Sequence, residues 1–246
     1  MRRFFVQPEN LKSKNVTLEG DEFHHLRNVS RLEVGEFVEL LDGAGQIAKA
    51  KITEIKKKLA VLEVLDIKTL RPMPVPHIEI VLCLPRFQKM DMIIQKAAEL
   101  GAAKISPVVS DRSFLKNVSK ELSTKMPRWK KISIEACKQS GRAWPMGWSD
   151  PETLDEALLR LQKRSGLFLF EGESALDIKS ALTKFESAPN QLTVFIGAEG
   201  GFSPKEVEKF KDLGFDPVTL GPLVLRVETA CIAILSVIEY HFGLMR

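Results

Sequence analysis

The chain is short of the features that would tie it to a membrane, a disulfide framework or a metal. No apolar run approaches the roughly 18 residues that a membrane span needs, and the first residues, Met1-Arg-Arg-Phe-Phe-Val, lack the apolar core and small-residue cleavage site of a signal peptide. Cysteine is scarce: Cys83, Cys137 and Cys231 are far apart, odd in number and set among apolar neighbours. Reduced, buried thiols are expected, with no disulfide scaffold and no zinc site. The adjacent His24 and His25 have no further ligands at metal-binding spacing and read as packed or capping residues, with an RNA contact as the alternative. Internal repeats and low-complexity tracts are also missing. A cytoplasmic enzyme or binding protein, without metal or membrane, is what these absences leave.

The 246 residues suffice for two ordinary domains, and 44% hydrophobic with 28% charged residues is a globular composition. Net charge is only +4, but it is unevenly placed. Between Arg112 and Arg142 nine basic residues face two acidic ones, a local +7 in a chain that is otherwise slightly acidic. Such a stretch is either a solvated helix face or the footprint of a polyanion. Phe114, Trp129 and Trp144, interleaved with the charges, would stack on unpaired bases in the second case and fill a core in the first.

The first 71 residues read as short strands (3–6, 15–18, 36–41, 46–54 and 59–65) with one short helix at 21–29, the pattern of a compact β-barrel. Asp42-Gly43-Ala44-Gly45 supplies a turn between two strands. Arg71-Pro-Met-Pro-Val-Pro76 cannot continue a ladder and reads as a linker over 72–76. From His77 to the end, strands alternate with helices, which predicts a parallel α/β sheet over 77–246. Helices are predicted over 89–100, over 128–139 with Pro127 at the start, after Asp150-Pro151, and from Val227 to Phe242.

In parallel α/β sheets ligands bind beyond the carboxyl ends of strands, and two such ends here have unusual loops. Ile196-Gly197-Ala198-Glu199-Gly200-Gly201 precedes Ser203-Pro204-Lys205-Glu206, a capping box with proline at the first helical position. The glycines admit a ligand close to backbone. Their spacing fits neither a dinucleotide fingerprint nor a phosphate-binding loop, and Glu199 would repel phosphate. A ligand with hydroxyls and positive charge suits this loop better, and a plain turn remains the alternative. The second loop, Leu220–Ala230, brings the charged pair Arg226 and Glu228 to the mouth of a nearly all-apolar helix, where charge is costly unless paired or functional.

IGAEGGFSPKEVE at Ile196–Glu208 followed by LGPLVLRVETA at Leu220–Ala230 resembles the C-terminal motifs of the ribosomal RNA small subunit methyltransferase E family, SPOUT-class enzymes that methylate N3 of a uridine. The resemblance extends to MRRFFV at the start, HHLRNVSRLEVGE at His24–Glu36, KMDMIIQKAAELG at Lys89–Gly101 and EACKQSGRAWP at Glu135–Pro145, in order and over nearly the whole chain. It implies a PUA-like barrel followed by a trefoil-knotted parallel-sheet domain, and a homodimer. It also implies S-adenosylmethionine as cofactor, held by Leu82, Ile196, Gly197, Glu199, Gly200, Gly201, Leu220, Gly221, Leu225, Arg226 and Thr229. Arg226 and Glu228 would be catalytic, and Arg31, Arg112, Gln139 and Arg142 would contact small-subunit (16S) ribosomal RNA. Departures from the family pattern fall at Pro85-Arg86-Phe87, Ala198, Leu223 and Val227, and bear on substrate contact more than on cofactor. Two rival readings stay open at this point: a non-catalytic RNA-binding protein, and an enzyme of the same fold acting on another nucleotide or on transfer RNA.

Overall fold

A computed structural model describes residues 1–118, 120–172 and 175–245. The chain forms two compact units, one of residues 1–73 together with 135–145, the other of 74–134 and 146–246.

In the first unit, strands β1 (Arg2–Phe5), β2 (Asn15–Glu19), β3 (Phe37–Leu41), β4 (Gln46–Ile55) and β5 (Leu59–Thr69) make one sheet in the order β1-β3-β4-β5-β2. All its pairs are antiparallel except β1 with β3. Strand β4 shows how the pattern works: Ala48, Ala50 and Ile52 face the core while Lys49 and Lys51 face water. Two bulges in the β4–β5 ladder, at Lys49/Ala50 and Ile52/Glu54, add local twist. The sheet curls around Phe4, Val16, Leu18, Leu26, Leu40 and Leu62, the architecture expected of a PUA-like domain. Helix α1 (Gly20–His24) continues as a wider turn to Val29, and the Asp42 carboxylate accepts from the Ala44 and Gln46 N–H groups to close the predicted turn.

Residues 135–145 complete this unit although they lie far along the chain. The Arg3 guanidinium donates to the carbonyls of Lys138 and Gln139 at 3.0 and 3.1 Å. The Lys138 ammonium, 5% exposed, is held between Glu22 at 2.6 Å and Glu135 at 3.0 Å. Trp144 lies over Gly45, where a Cβ would come within 2.8 Å of the indole.

The second unit carries a parallel sheet in the order β11-β13-β10-β12-β6-β7-β8, with β9 also paired to β7. Its strands are β6 (His77–Cys83), β7 (Lys104–Val109), β8 (Gly147–Trp148), β9 (Glu152–Thr153), β10 (Gly166–Leu169), β11 (Leu176–Asp177), β12 (Gln191–Ile196) and β13 (Asp216–Thr219). The central strands β6 and β12 are buried almost throughout, as continuous apolar runs between helix layers require. The helices are α2 (Phe87–Glu99), α3 (Lys120–Ser140), α4 (Leu154–Leu161), α5 (Ile178–Thr183), α6 (Pro204–Asp212) and α7 (Val227–His241). The parallel α/β expectation is therefore met.

Two helix starts differ from the sequence expectation. Helix α3 begins at Lys120, so Pro127 lies inside it. Helix α4 opens at Leu154, not after Asp150-Pro151, because β7 captures Glu152 and Thr153 as strand partners. Thr153 then caps the helix in a reciprocal box with Glu156. The predicted box at Ser203 and Glu206 is present, and Pro204 is the first helical residue.

Candidate active site

The carboxyl ends of β13, β10 and β12, adjacent in the sheet, open on a cavity of about 490 Å³. Its walls are Leu169–Gly172 after β10, Ile196–Phe202 after β12, Val218–Leu220 at the end of β13, and Leu223–Val227 leading into α7. Ligand clefts of this size are ordinary for a cofactor.

The glycine loop is shaped by close packing of backbone on backbone. The Gly201 N–H donates to the Ala198 carbonyl at 2.9 Å. A Cβ on Gly197 would stand 3.0 Å from Gly201 Cα, so a larger residue at 197 would have to push the Gly201 backbone aside by a few tenths of an ångström. Gly201 itself has φ +65°, a conformation that favours glycine. From the loop after β7, Arg112 donates to the Gly200 carbonyl at 2.7 Å. The Asp111 N–H donates to the buried Glu206 carboxylate at 2.8 Å, and Ser203 Oγ donates to Asp111 at 2.6 Å. The loop is thus pinned from both sides while its inner face remains open to the cavity.

Charge at the mouth is arranged around Lys89 on α2. Its ammonium lies 3.3 Å from Glu199 and 3.3 Å from Glu228. Burial pushes the Glu199 carboxyl up. The N–H groups of Glu199 itself and Arg86, with the Lys89 ammonium, outweigh that and hold it below the ordinary carboxylate range. Glu199 is therefore an anion beside the cavity. The two thiols of this unit, Cys83 and Cys231, are pushed up to about 12 by burial and remain inert.

The comparisons with known proteins bear on this geometry. Residues 71–239 match the family described as an RNA methyltransferase domain, and residues 18–65 match an RNA methyltransferase PUA domain. A ribosomal RNA small subunit methyltransferase E of Bacillus subtilis is 30% identical over 254 aligned residues, covering 100% of this chain and 99% of the relative. The chain belongs to the ribosomal RNA small subunit methyltransferase E family.

Solved members of the fold agree in outline. A family member from Neisseria gonorrhoeae, solved with S-adenosylmethionine, superposes with a TM-score of 0.84 at 30% identity, over 98% of this chain and 97% of that one. A methyltransferase from Legionella pneumophila, also solved with that cofactor, gives a TM-score of 0.86 at 29% identity over 97% and 96% of the two chains.

Of the residues predicted to hold cofactor in this family member, Ile196, Gly197, Glu199, Gly200, Gly201, Leu220, Leu225 and Arg226 line the cavity. Leu82 is fully buried and pairs with Ile196 from the neighbouring strand, and it does not line the cavity. Gly221 and Thr229 are exposed and do not line it. Gly221 instead shapes the turn, its N–H and carbonyl both bonded to the Thr219 hydroxyl. Arg226 is exposed at the N-cap of α7, and Glu228 pairs with Lys89. Arg112 joins the cavity wall, whereas Arg31, Gln139 and Arg142 belong to the first unit. Arg31 is exposed in a left-handed backbone conformation (φ +54°). Arg142 contacts Met73 Sδ at 3.8 Å. His25 packs against Phe4, ring centres 5.5 Å apart.

Two parts of the site escaped the sequence reading. Lys89 sits on a helix whose spacing announced only a buried face. Leu169–Gly172 is the third strand end, and Gly172, three residues past the end of β10, was the available signal.

Proposed function

We propose that the chain transfers a methyl group from S-adenosylmethionine to N3 of a uridine in small-subunit ribosomal RNA, acting on the assembled or nearly assembled subunit. The observation that carries the reading is the cavity at three adjacent parallel strand ends, walled by the two motif loops. The donor set suits that cofactor. Backbone groups of Ile196–Gly201 and Leu220–Leu225 offer hydrogen bonds to hydroxyl, amino and purine groups, and Leu223, Val224 and Leu225 offer apolar cover. Glu199, held as an anion, suits a cationic ligand and disfavours a phosphate.

The bound cofactor would supply an electrophilic methyl on a sulfonium. The chain's own task is to place the uracil N3 in line with it and to favour the imide anion. Arg226, on the rim and without an ion-pair partner among the described residues, is the cation assigned to the uracil. Glu228, engaged with Lys89, is assigned the role of holding that lysine at the mouth. Homodimerisation, the trefoil knot and a cytoplasmic location belong to the same reading. Exposed Tyr240 on α7 and Met92 on α2, helices that pack together, give the dimer an apolar surface to use.

The test is transfer of labelled methyl from the cofactor to small subunits lacking the modification, with the product base identified. N3-methyluridine is expected; a different methylated base sinks the uridine assignment, and no transfer with intact cofactor binding favours a binding-only protein. Arg226→Ala is expected to lower turnover at least about 100-fold, as loss of one transition-state donor does, with cofactor affinity nearly unchanged by calorimetry. Unchanged turnover would remove Arg226 from the chemistry.

A further inference from the structure

Beside the large cavity lies a smaller one of about 320 Å³, lined by Arg86, Lys89, Arg112, Phe114 and Glu199. Lys89, Arg112 and Glu199 line both, so these three side chains form the partition between them. The smaller cavity has three cations and a carboxylate already engaged by Lys89 and the Arg86 N–H. It also has a phenylalanine ring that is 53% exposed.

A single exposed apolar side chain is commonplace. Phe114 differs in how firmly it is backed. Its N–H donates to the Leu84 carbonyl at 3.0 Å, directly after β6. Its ring meets Phe87 edge-on at 5.7 Å, and Phe87 meets Trp129 edge-on at 5.8 Å. Trp129 is 1% exposed and anchors the chain of rings in the core. The Lys125 ammonium sits 5.5 Å over Phe87, adding a second brace. A fixed aromatic face with guanidinium groups alongside is the equipment that binds an unpaired nucleotide: the ring takes the base and the cations take phosphate. Arg112 spends one N–H on Gly200 and keeps others for a ligand.

We propose that this second cavity receives the nucleotide next to the target uridine, its base stacked on Phe114 and its phosphates on Arg86 and Arg112. Lys89 then stands between that neighbouring base and the methyl donor, at the partition of the two cavities. The inference rests on the methyl-transfer reading of the larger cavity, and it names where the RNA enters that site.

The experiment uses the full chain and two measurements. Cofactor affinity is measured by calorimetry, and affinity for a uridine-rich single-stranded RNA by fluorescence anisotropy at several salt concentrations. Phe114→Ala and Phe114→Leu are expected to lose RNA affinity about tenfold, a typical loss for one stacked base, while Phe114→Tyr retains it and cofactor affinity stays within twofold in all three. Arg86→Gln is expected to lower the magnitude of the slope of log affinity against log salt by about 0.7, one phosphate contact on a single strand. Wild-type RNA affinity in Phe114→Leu overturns the stacking role, because leucine keeps the apolar bulk without the ring. Loss of cofactor affinity in Phe114→Ala also overturns it, by assigning the ring to the other cavity. Wild-type chain that binds RNA through Phe114 yet methylates no uridine defeats the proposed function and leaves the subsite standing. Full methylation of small subunits by Phe114→Ala does the reverse. A chain that binds no RNA at all defeats both.

Discussion

Glu79 stands near the start of β6 with only 5% of its side chain exposed, a position where a lone carboxylate would be expensive. Four partners answer it: Ser106 Oγ at 2.7 Å, Arg160 at 3.0 Å, Arg164 at 2.8 Å and Lys104 at 3.6 Å. Burial pushes its pKa up, but the Ser106 hydroxyl, Lys104 and Arg160 together hold it below the ordinary value. A depressed folded pKa means the carboxylate stabilises the fold above its unfolded pKa of roughly 4.3, and that this contribution disappears as pH falls through the folded value. Glu79→Gln is expected to cost about 2 kcal/mol at pH 7. That is less than a fully buried pair would lose, because Arg160 and Arg164 keep about a third of their side chains in water. In thermal melts the gap between wild type and variant should narrow as pH falls below about 4. A gap of constant size from pH 7 to pH 3 would remove the ionised form of Glu79 from the account. None of this was visible in the sequence, because partners 25 to 85 residues away meet only when strands and helices pack. The same reason hid the Lys89 bridge to Glu199 and Glu228, while the glycine loop, whose meaning is local, could be read directly.

At the scale of elements, local signals were legible wherever they were not overruled by pairing. Strand β12, the Ser203–Glu206 box and the apolar stripe of α2 follow from periodicity and capping alone. Helix α3 does not, because Pro127 reads naturally as a first-turn residue but lies in the second turn of a helix running from Lys120 to Ser140. Buried Leu122 and Met126, one turn apart, with Trp129 beyond them, supply the packing that carries the helix through the proline. Proline inside a helix removes one hydrogen bond and crowds the preceding turn. Since Pro127 is itself exposed, alanine there gives up little packing. Pro127→Ala is therefore expected to stabilise the protein by about 1–3 kcal/mol, read as a higher melting temperature with unchanged cofactor affinity. A lower melting temperature would mean that the proline's geometry is needed at that bend.

For the whole molecule the question is how much of the basic stretch from Arg112 to Arg142 is free to meet RNA. Nine cations in the sequence suggested a steep electrostatic attraction, but several are already held by the protein. Lys138 is buried between Glu22 and Glu135, Arg128 is paired bidentately with Asp91, and Lys116 donates to the Asp111 carbonyl at 2.8 Å. Trp129, which could have stacked on a base, is core instead. Lys120 and Lys130, by contrast, are exposed on α3. Each phosphate that a cation neutralises on a single strand releases counterions and adds about 0.7 to the magnitude of the salt slope, so the slope counts only the cations that reach phosphate. Replacing both Lys120 and Lys130 by Gln should lower that magnitude by about 1.4, while Arg128→Gln should leave it nearly unchanged because Asp91 already neutralises that charge. The two variants change the net charge by amounts that differ only twofold, so an effect of net charge alone would make the Arg128 variant half as large as the double one. A ratio near one half would return the basic stretch to a diffuse field; a slope moved by the double variant alone assigns RNA contact to the exposed face of α3.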